Sequence, residues 1–331
     1  MKRRAFIAFM AGAVAARPLA GRAQQPAGHR IAIFHPAIPA SLITETGGGS
    51  AWRAFFVELR RLGYIEGDNL IVERYSAEGH HERYADMAQE IVARSPDLIV
   101  TGTNPVVAVF KAATGTIPLV AFMLDPLQAG LVTSLARPGG NLTGITSINA
   151  DISAKRFGVL RQMVPQATHY FGLVNSTSPL AGPVTRQFKA GAASIGVQID
   201  ILRASTDDEI DAAFAGLPRD GGSVLVSSPD AFLYSRRKRI AALAASHAVP
   251  AIFDVRDYVD AGALVSYGAD YLNVMRLAGD YTARVLKGDK PAELPVVQPE
   301  KFELVINLRA AKALGVVVPP TLLAIADDVV E

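Results

Sequence analysis

Two successive rounds of alternation between short apolar runs and helix-period apolar faces constrain this chain more than any other feature. Ile31 to Phe34 reads as a strand. Trp52, Phe55, Phe56, Leu59 and Leu62 then fall on one helical face, with Ser50 as the expected N-cap and Gly63 as the stop. Leu70 to Arg74 forms a second strand after the turn Gly67-Asp68-Asn69, Tyr84, Met87, Ala88, Ile91 and Val92 mark a second helix, and Leu98 to Val100 is a buried strand. The pattern restarts past residue 150. A helix from about Ser153 carries Phe157, Leu160 and Val164, and strands follow at Tyr170 to Val174, Val197 to Ile201, Val224 to Val226 and Ala251 to Phe253. Strands that alternate with helices run parallel and need cover on both faces, so the expected fold class is α/β, with two open units in succession. With 331 residues, 50% of them hydrophobic, the chain can bury two sizeable cores. No low-complexity linker separates the halves, which predicts lobes joined by strand crossovers rather than by a flexible tether.

Four of the apolar strands run into a polar residue and then proline: Thr101-Gly102-Thr103-Asn104-Pro105, Asp125-Pro126, Asn175-Ser176-Thr177-Ser178-Pro179 and Ser227-Ser228-Pro229-Asp230. Proline suits the first helical turn and Ser, Thr, Asn or Asp before it caps the helix, so each of these reads as a helix start. Free N–H groups at such starts, beside hydroxyls, can hold a carboxylate, and in open α/β sheets ligands bind beyond the carboxyl ends of the strands. One such loop is only a cap; four across both halves point to a ligand site. The glycine-rich segment Gly139-Gly140-Asn141-Leu142-Thr143-Gly144 is not G-x-G-x-x-G, lacks the Lys-Ser/Thr of a P-loop and precedes no helical pattern. With the helical-looking stretch Ala129 to Ala136 ahead of it, it reads as chain leaving one lobe for the other.

Other features have plain structural readings. His80-His81 lacks a Cys, Asp, Glu or His set at metal spacing, and no metal or cofactor is expected. Ser235-Arg236-Arg237-Lys238-Arg239 opens an amphipathic helix and reads as a solvated face, with a partner-docking patch as the alternative. His247 reads as a helix C-cap, and Trp52, the sole tryptophan, as core or as a stacking surface for a ligand. No G-x-S-x-G elbow supports a serine hydrolase. The rival to a binding protein is therefore an exported α/β enzyme with Asp125 or Asp230 as base.

Residues 1–23 have the layout of a secretory signal: Lys2-Arg3-Arg4, a short apolar stretch from Ala5 to Ala16, and small residues at Gly21 and Ala23. The paired arginines suit the twin-arginine route, with Sec as the alternative, and cleavage is expected after Ala23. Its removal takes away five basic side chains and no acid, so the formal charge falls from +2 to −3, against nucleic acid as a partner. No later apolar run is long enough to span a membrane. The absence of cysteine excludes disulfides, thiolate metal sites and a lipidated cysteine.

Three segments together resemble a known family: LDPLQAGLVTSLARPGGNLTGIT from Leu124 to Thr146, LRRLGYIEG from Leu59 to Gly67, and the run from Gln298 to Asp327. They are similar to the substrate-binding proteins of ABC transporters in the tryptophan-binding-protein-like group. The resemblance implies a type I periplasmic binding protein fold: two Rossmann-like lobes, three crossovers and a small-molecule ligand closed between them without catalysis. Lobe 1 would comprise residues 29–146 plus about 269–297, and lobe 2 residues 147–268 plus about 298–331. By position it places Thr103, Asn104 and Asp125 on the first wall, Asn175, Ser176, Ser228 and Asp230 on the second, and a contact from the loop His35 to Ser41. Where relatives carry an asparagine loop Y-N-x-S-E, this chain has Val174-Asn175-Ser176-Thr177-Ser178, which leaves the ligand open. The charge types suggest an amino acid or similar small carboxylate with an aromatic or branched side chain, its ammonium on Asp125 and Asp230, its carboxylate at the helix starts of Pro105 and Pro179, and apolar contact from Phe253, Tyr267 or the loop before Ser41. No Arg or Lys lies on the four loops to hold a phosphate. A periplasmic monomer that serves a permease, with hinge bending near Ile145 to Ala150, is the expectation.

Overall fold

The computed structural model describes residues 28–47, 49–147, 152–218, 221–299 and 301–331; the expected signal and cleavage site lie outside the described residues. The first round of elements is β1 (His29–His35), α1 (Gly49–Arg61), β2 (Leu70–Ser76), α2 (Tyr84–Ala93), β3 (Leu98–Gly102), α3 (Asn104–Ala113), β4 (Leu119–Leu124) and β5 (Leu142–Ser147). Its strands form a parallel sheet in the order β2-β1-β3-β4-β5. Along β1, Ile31 and Ile33 enter one apolar layer with Trp52, Phe55 and Leu59 of α1, while Ala32 and Phe34 enter the other with Ile91 of α2 and Phe110 of α3. Successive side chains of a strand point to opposite faces, so an uninterrupted apolar run buries both.

The second round is α4 (Ile152–Met163), β6 (His169–Val174), α5 (Ala181–Ser194), β7 (Ile199–Arg203), α6 (Asp207–Ala215), β8 (Ser223–Ser227), α7 (Ala231–Ser235), α8 (Arg237–Ser246), β9 (Ala251–Phe253), α9 (Asp257–Asp260) and β10 (Val265–Ala269). Then come α10 (Tyr271–Leu286), β11 (Phe302–Asn307), α11 (Leu308–Ala313), α12 (Pro320–Ile325) and β12 (Asp328–Val330). The second sheet runs β12-β11-β10-β9-β8-β6-β7 and is parallel except where β11 pairs antiparallel with β10. Each face of it carries its own apolar layer. The fold is thus α/β with two mostly parallel sheets; the one antiparallel pair was not expected.

Among the described residues the chain passes between the sheets after β5, after β10 and before β11. Helix α10 follows β10 of the second sheet but packs on α1 and on β3, β4 and β5 of the first. Beyond it the chain returns along β5, where Thr146 N donates to Val297 O at 2.8 Å and Val297 N to Gly144 O at 3.0 Å.

Local readings differ from the structure in three places. Ser50 lies inside α1, which begins at Gly49. The stretch Ala129 to Ala136 forms turns instead of a helix. Leu131 and Val132 both donate to Pro126 O, both are buried, and Leu135 O accepts from Val296 N at 2.7 Å, so turn bonds to Pro126 and one long-range bond replace the helical ladder. Of the four prolines, Pro105 sits in the first turn of α3, whereas Pro126 and Pro179 lie in turns and Pro229 precedes the cap Asp230. Trp52 is 4% exposed and belongs to the α1 core layer, and His247 closes α8, its Nδ1 3.1 Å from Leu243 O.

The seam between α1 and α10 is tight at Gly279, where a Cβ would stand 2.8 Å from Phe55 O and 3.0 Å from Glu58 Cβ. Gly279→Val should therefore overpack the seam and cost about 1–3 kcal/mol. In urea unfolding this appears as a lower midpoint at unchanged slope; an unaltered midpoint would show that the helices separate freely.

Candidate functional site

The carboxyl ends of both parallel sheets face each other across a cleft, and the lobes meet at its mouth. Gly79, after β2, lies so close to α7 that a Cβ would stand 3.2 Å from Phe232 Cα and 2.8 Å from Ser235 Oγ. Its φ of +90° also favours glycine. Arg236 Nη1 donates across the same contact to Glu78 O at 3.4 Å. Deeper in, the rings of His35 from β1 and Tyr234 from α7 are 6.4 Å apart.

On the first wall, Thr103 and Asp125 follow β3 and β4 with φ of 70° and 38°. Such angles are strained for residues with a Cβ and cluster at functional sites. Thr103 N donates to Phe122 O at 2.9 Å, and Asp125 Oδ1 accepts from Gln128 N at 3.1 Å. Asn104 grips the backbone of Leu124 from both sides, its Oδ1 accepting from Leu124 N at 2.9 Å and its Nδ2 donating to Leu124 O. That amide fixes β4 against α3.

On the second wall, Asn175 Nδ2 donates to Asp230 Oδ1 at 3.1 Å, which joins two of the sequence candidates. The same Oδ1 accepts from Phe232 N and Leu233 N at 2.9 and 3.1 Å and so caps α7. Asn175 Oδ1 accepts from Thr177 N at 3.1 Å and Thr177 Oγ1 at 2.9 Å. Ser228 is 2% exposed and its Oγ has no hydrogen-bond partner among the described residues. The other candidates are placed differently. Ser176 and Ser41 are exposed on their loops. Phe253 is fully buried and stacked on Tyr258 at 4.1 Å in the second sheet's core. Tyr267 lies against Phe302 at 6.1 Å and packs on the apolar layer on the other side of that sheet.

The expected contact from the loop His35 to Ser41 falls on His35 itself, while sequence reasoning missed Tyr234, Tyr271 and Asp254 beside it. His35 Nδ1 accepts from Ala37 N and Ile38 N at 2.9 and 2.7 Å, which leaves its proton on Nε2. Burial, with the Arg237 charge second, lowers its pKa to about 3, so the ring stays neutral. Its position repeats the polar-residue-then-proline pattern, His35-Pro36, and was legible in that way. Tyr234 and Tyr271 keep part of their surface accessible, yet burial raises both phenols, as expected in a deep, enclosed cleft. Tyr234 donates its hydroxyl to the Asp257 carboxylate, and Tyr271 meets Phe122 edge to face at 5.7 Å.

Asp254 follows β9 at the carboxyl end of its strand. Its carboxylate has no donor beyond its own backbone N–H among the described residues, and no cation within ion-pair distance. Desolvation raises its pKa, opposed by the charge of Arg156 and reinforced by Asp257 and Asp230. Arg156 is 4% exposed and donates Nε–H to Tyr267 O at 2.8 Å. A carboxylate desolvated in this way attracts a cationic ligand group.

The comparisons with known proteins agree with the fold. The chain belongs to the family of ABC transporter substrate binding proteins, whose model matches residues 50–330. Members bind small molecules outside the cytoplasmic membrane and work with transporter permeases. A tyrosine-binding protein of Clostridioides difficile (strain R20291) is 27% identical over 275 residues, 82% of this chain and 79% of that protein. The structure of an ABC domain in complex with L-Trp from Streptococcus pneumoniae superposes with a TM-score of 0.78 at 23% identity, covering 92% of this chain and all of that one. A conserved domain protein from Vibrio cholerae gives 0.80 at 25% identity, over 91% and 99%. Among the described residues no helix is long and apolar enough to cross a membrane.

Asp254→Asn tests the electrostatic reading without any ligand. A raised folded-state pKa contributes stability below the unfolded value, near 3.8, and that contribution is lost as pH rises through the folded pKa. The asparagine variant should therefore melt above the parent at about pH 7, with the difference shrinking toward about pH 3. A variant that melts at or below the parent at neutral pH would mean that the charge is already compensated.

Proposed function

We propose that the protein is a periplasmic receptor that closes on an aromatic amino acid, or a similar small carboxylate, and delivers it to an ABC importer. The observation that carries this reading is the juxtaposition, at the facing strand ends, of the partly buried residues His35, Tyr234 and Tyr271 with the desolvated acid Asp254. Rings take an aromatic side chain at its face or edge, and a desolvated carboxylate takes an ammonium group. The names of the relatives, a tyrosine-binding protein and a complex with L-Trp, support the same class of ligand. Asp254 is the stronger ammonium partner than Asp230, whose Oδ1 is committed to the start of α7 and to Asn175.

On this reading the protein is a monomer without catalytic activity. Lobe 1 is formed by residues 29–146 plus about 269–297 and lobe 2 by the remainder, with bending at the passes between the sheets. An exported hydrolase acting through Asp125 or Asp230 is the less favoured reading, because Asp230 Oδ1 is committed to the start of α7 and to Asn175 and the family is one of binding proteins.

Native mass spectrometry of the freshly purified protein should reveal a bound aromatic amino acid, and calorimetry should rank the candidates. Burying an aromatic side chain of about 150–250 Å² at about 25 cal/mol/Å² contributes about 4–6 kcal/mol, so tyrosine, tryptophan or phenylalanine should bind at least about 100-fold more tightly than alanine. Equal affinity for alanine, or turnover of the bound compound, would refute the proposal.

A further inference from the structure

The basic run that opens α8 divides into cations with different partners. Arg236 Nε donates to Asp207 Oδ1 at 2.9 Å, Arg239 Nε to Asp211 Oδ1 at 2.9 Å, and Lys238 is exposed. Arg237 differs from these. It is half-buried, its guanidinium lies 4.7 Å from the centre of the Tyr234 ring, and Nη1 donates to Tyr234 O at 3.3 Å. Among the described residues no carboxylate stands within ion-pair distance of it, although Asp257 is bonded to the hydroxyl of the same tyrosine. On the other side of the cleft, His35 presents an Nε2–H with no acceptor among the described residues, its ring 6.4 Å from Tyr234.

We propose that Arg237 of the second lobe and the Nε2–H of His35 of the first form an anion subsite that takes the carboxylate of the ligand. This deepens the reading of the cleft as an amino-acid or carboxylate site and rests on it. A guanidinium keeps its charge and offers a planar fork of donors that matches a carboxylate. Its place over the Tyr234 ring and the bond to Tyr234 O hold the guanidinium and leave donors unused among the described residues. Neutral His35 adds a hydrogen bond without a second charge to desolvate. Since the two donors come from different lobes, a carboxylate between them bonds both walls only in the closed form, so binding favours closure. The subsite also explains how the cleft holds an anion without any basic residue on the strand-end loops: the arginine is supplied by the helix that follows α7.

Calorimetry on the parent, Arg237→Gln and Arg237→Lys tests the assignment with three kinds of probe: L-tyrosine and L-tryptophan, the amines tyramine and tryptamine, and aromatic monocarboxylates that lack the amine. The expected result is that Arg237→Gln weakens the carboxylate-bearing probes at least about 30-fold, that lysine recovers part of this, and that the amines change by less than about 3-fold. Melting curves of the variants should match the parent. Loss of less than about 3-fold on the carboxylates, or an equal loss on the amines, overturns the subsite, the second outcome assigning Arg237 to closure alone. A parent that binds aromatic monocarboxylates but no amino acid sinks the ammonium reading of Asp254 and leaves the subsite standing. A parent that binds none of the carboxylates overturns both.

Discussion

The cleft depends on one packing arrangement, the seating of α10 on α1. Helix α10 leaves the second sheet after β10, yet Val274, Met275, Ala278 and Tyr281 complete the apolar layer that α1 begins over the first sheet. Its first residue, Tyr271, thereby stands where the two sheets face each other, and the Asp270 cap, which accepts from Asn273 N at 3.1 Å, fixes where the helix starts. The returning chain then hydrogen-bonds along β5 through Val297 before it rejoins the second sheet as β11. Neither lobe buries its core without chain contributed from beyond a pass between the sheets. On the proposed receptor reading, bending at the passes would change the width of the cleft without breaking either core.

Several local features of the cleft oppose folding rather than assist it. Thr103 and Asp125 hold positive φ, and among the described residues Ser228 buries a hydroxyl without a partner and Asp254 is a desolvated acid with no cation within ion-pair distance. Strain of the first kind and an unsatisfied buried group each cost about 1–3 kcal/mol. All of them lie at carboxyl ends of strands on the cleft walls, and the apolar layers over both sheets offset them. Groups held out of water and left without partners are prepared for a ligand that brings the partners with it.

How much of this was legible follows from the range of each interaction. Burial of both strand faces leaves an apolar run in the sequence, so β1, β3, β6, β8 and β9 were read nearly residue for residue. The chain connection Asn175 to Asp230 was anticipated only as two neighbouring strand ends, yet the hydrogen bond between them follows from the order β8-β6 in the sheet. The stretch after Asp125 misled because its apolar spacing suits a helix, while Leu131 N and Val132 N turn back to Pro126 O and Leu135 O accepts from the distant Val296 N, which no local pattern reveals. Phe253 and Tyr267 were chosen for their rings, but alternation along a strand turns them into the second sheet's cores. Arg237 was indistinguishable from Arg236 and Arg239 in the sequence. What separates it is the absence of an acid opposite, which depends on the placement of α6 and α9.

Closure of two lobes around a ligand is the central claim, and small-angle X-ray scattering measures it most directly. The protein stripped of ligand by unfolding and refolding should have a larger radius of gyration than the same protein saturated with an aromatic amino acid, whose profile should match the closed arrangement with Gly79 against α7. Superimposable profiles before and after saturation, with binding confirmed in the same sample, would contradict the account.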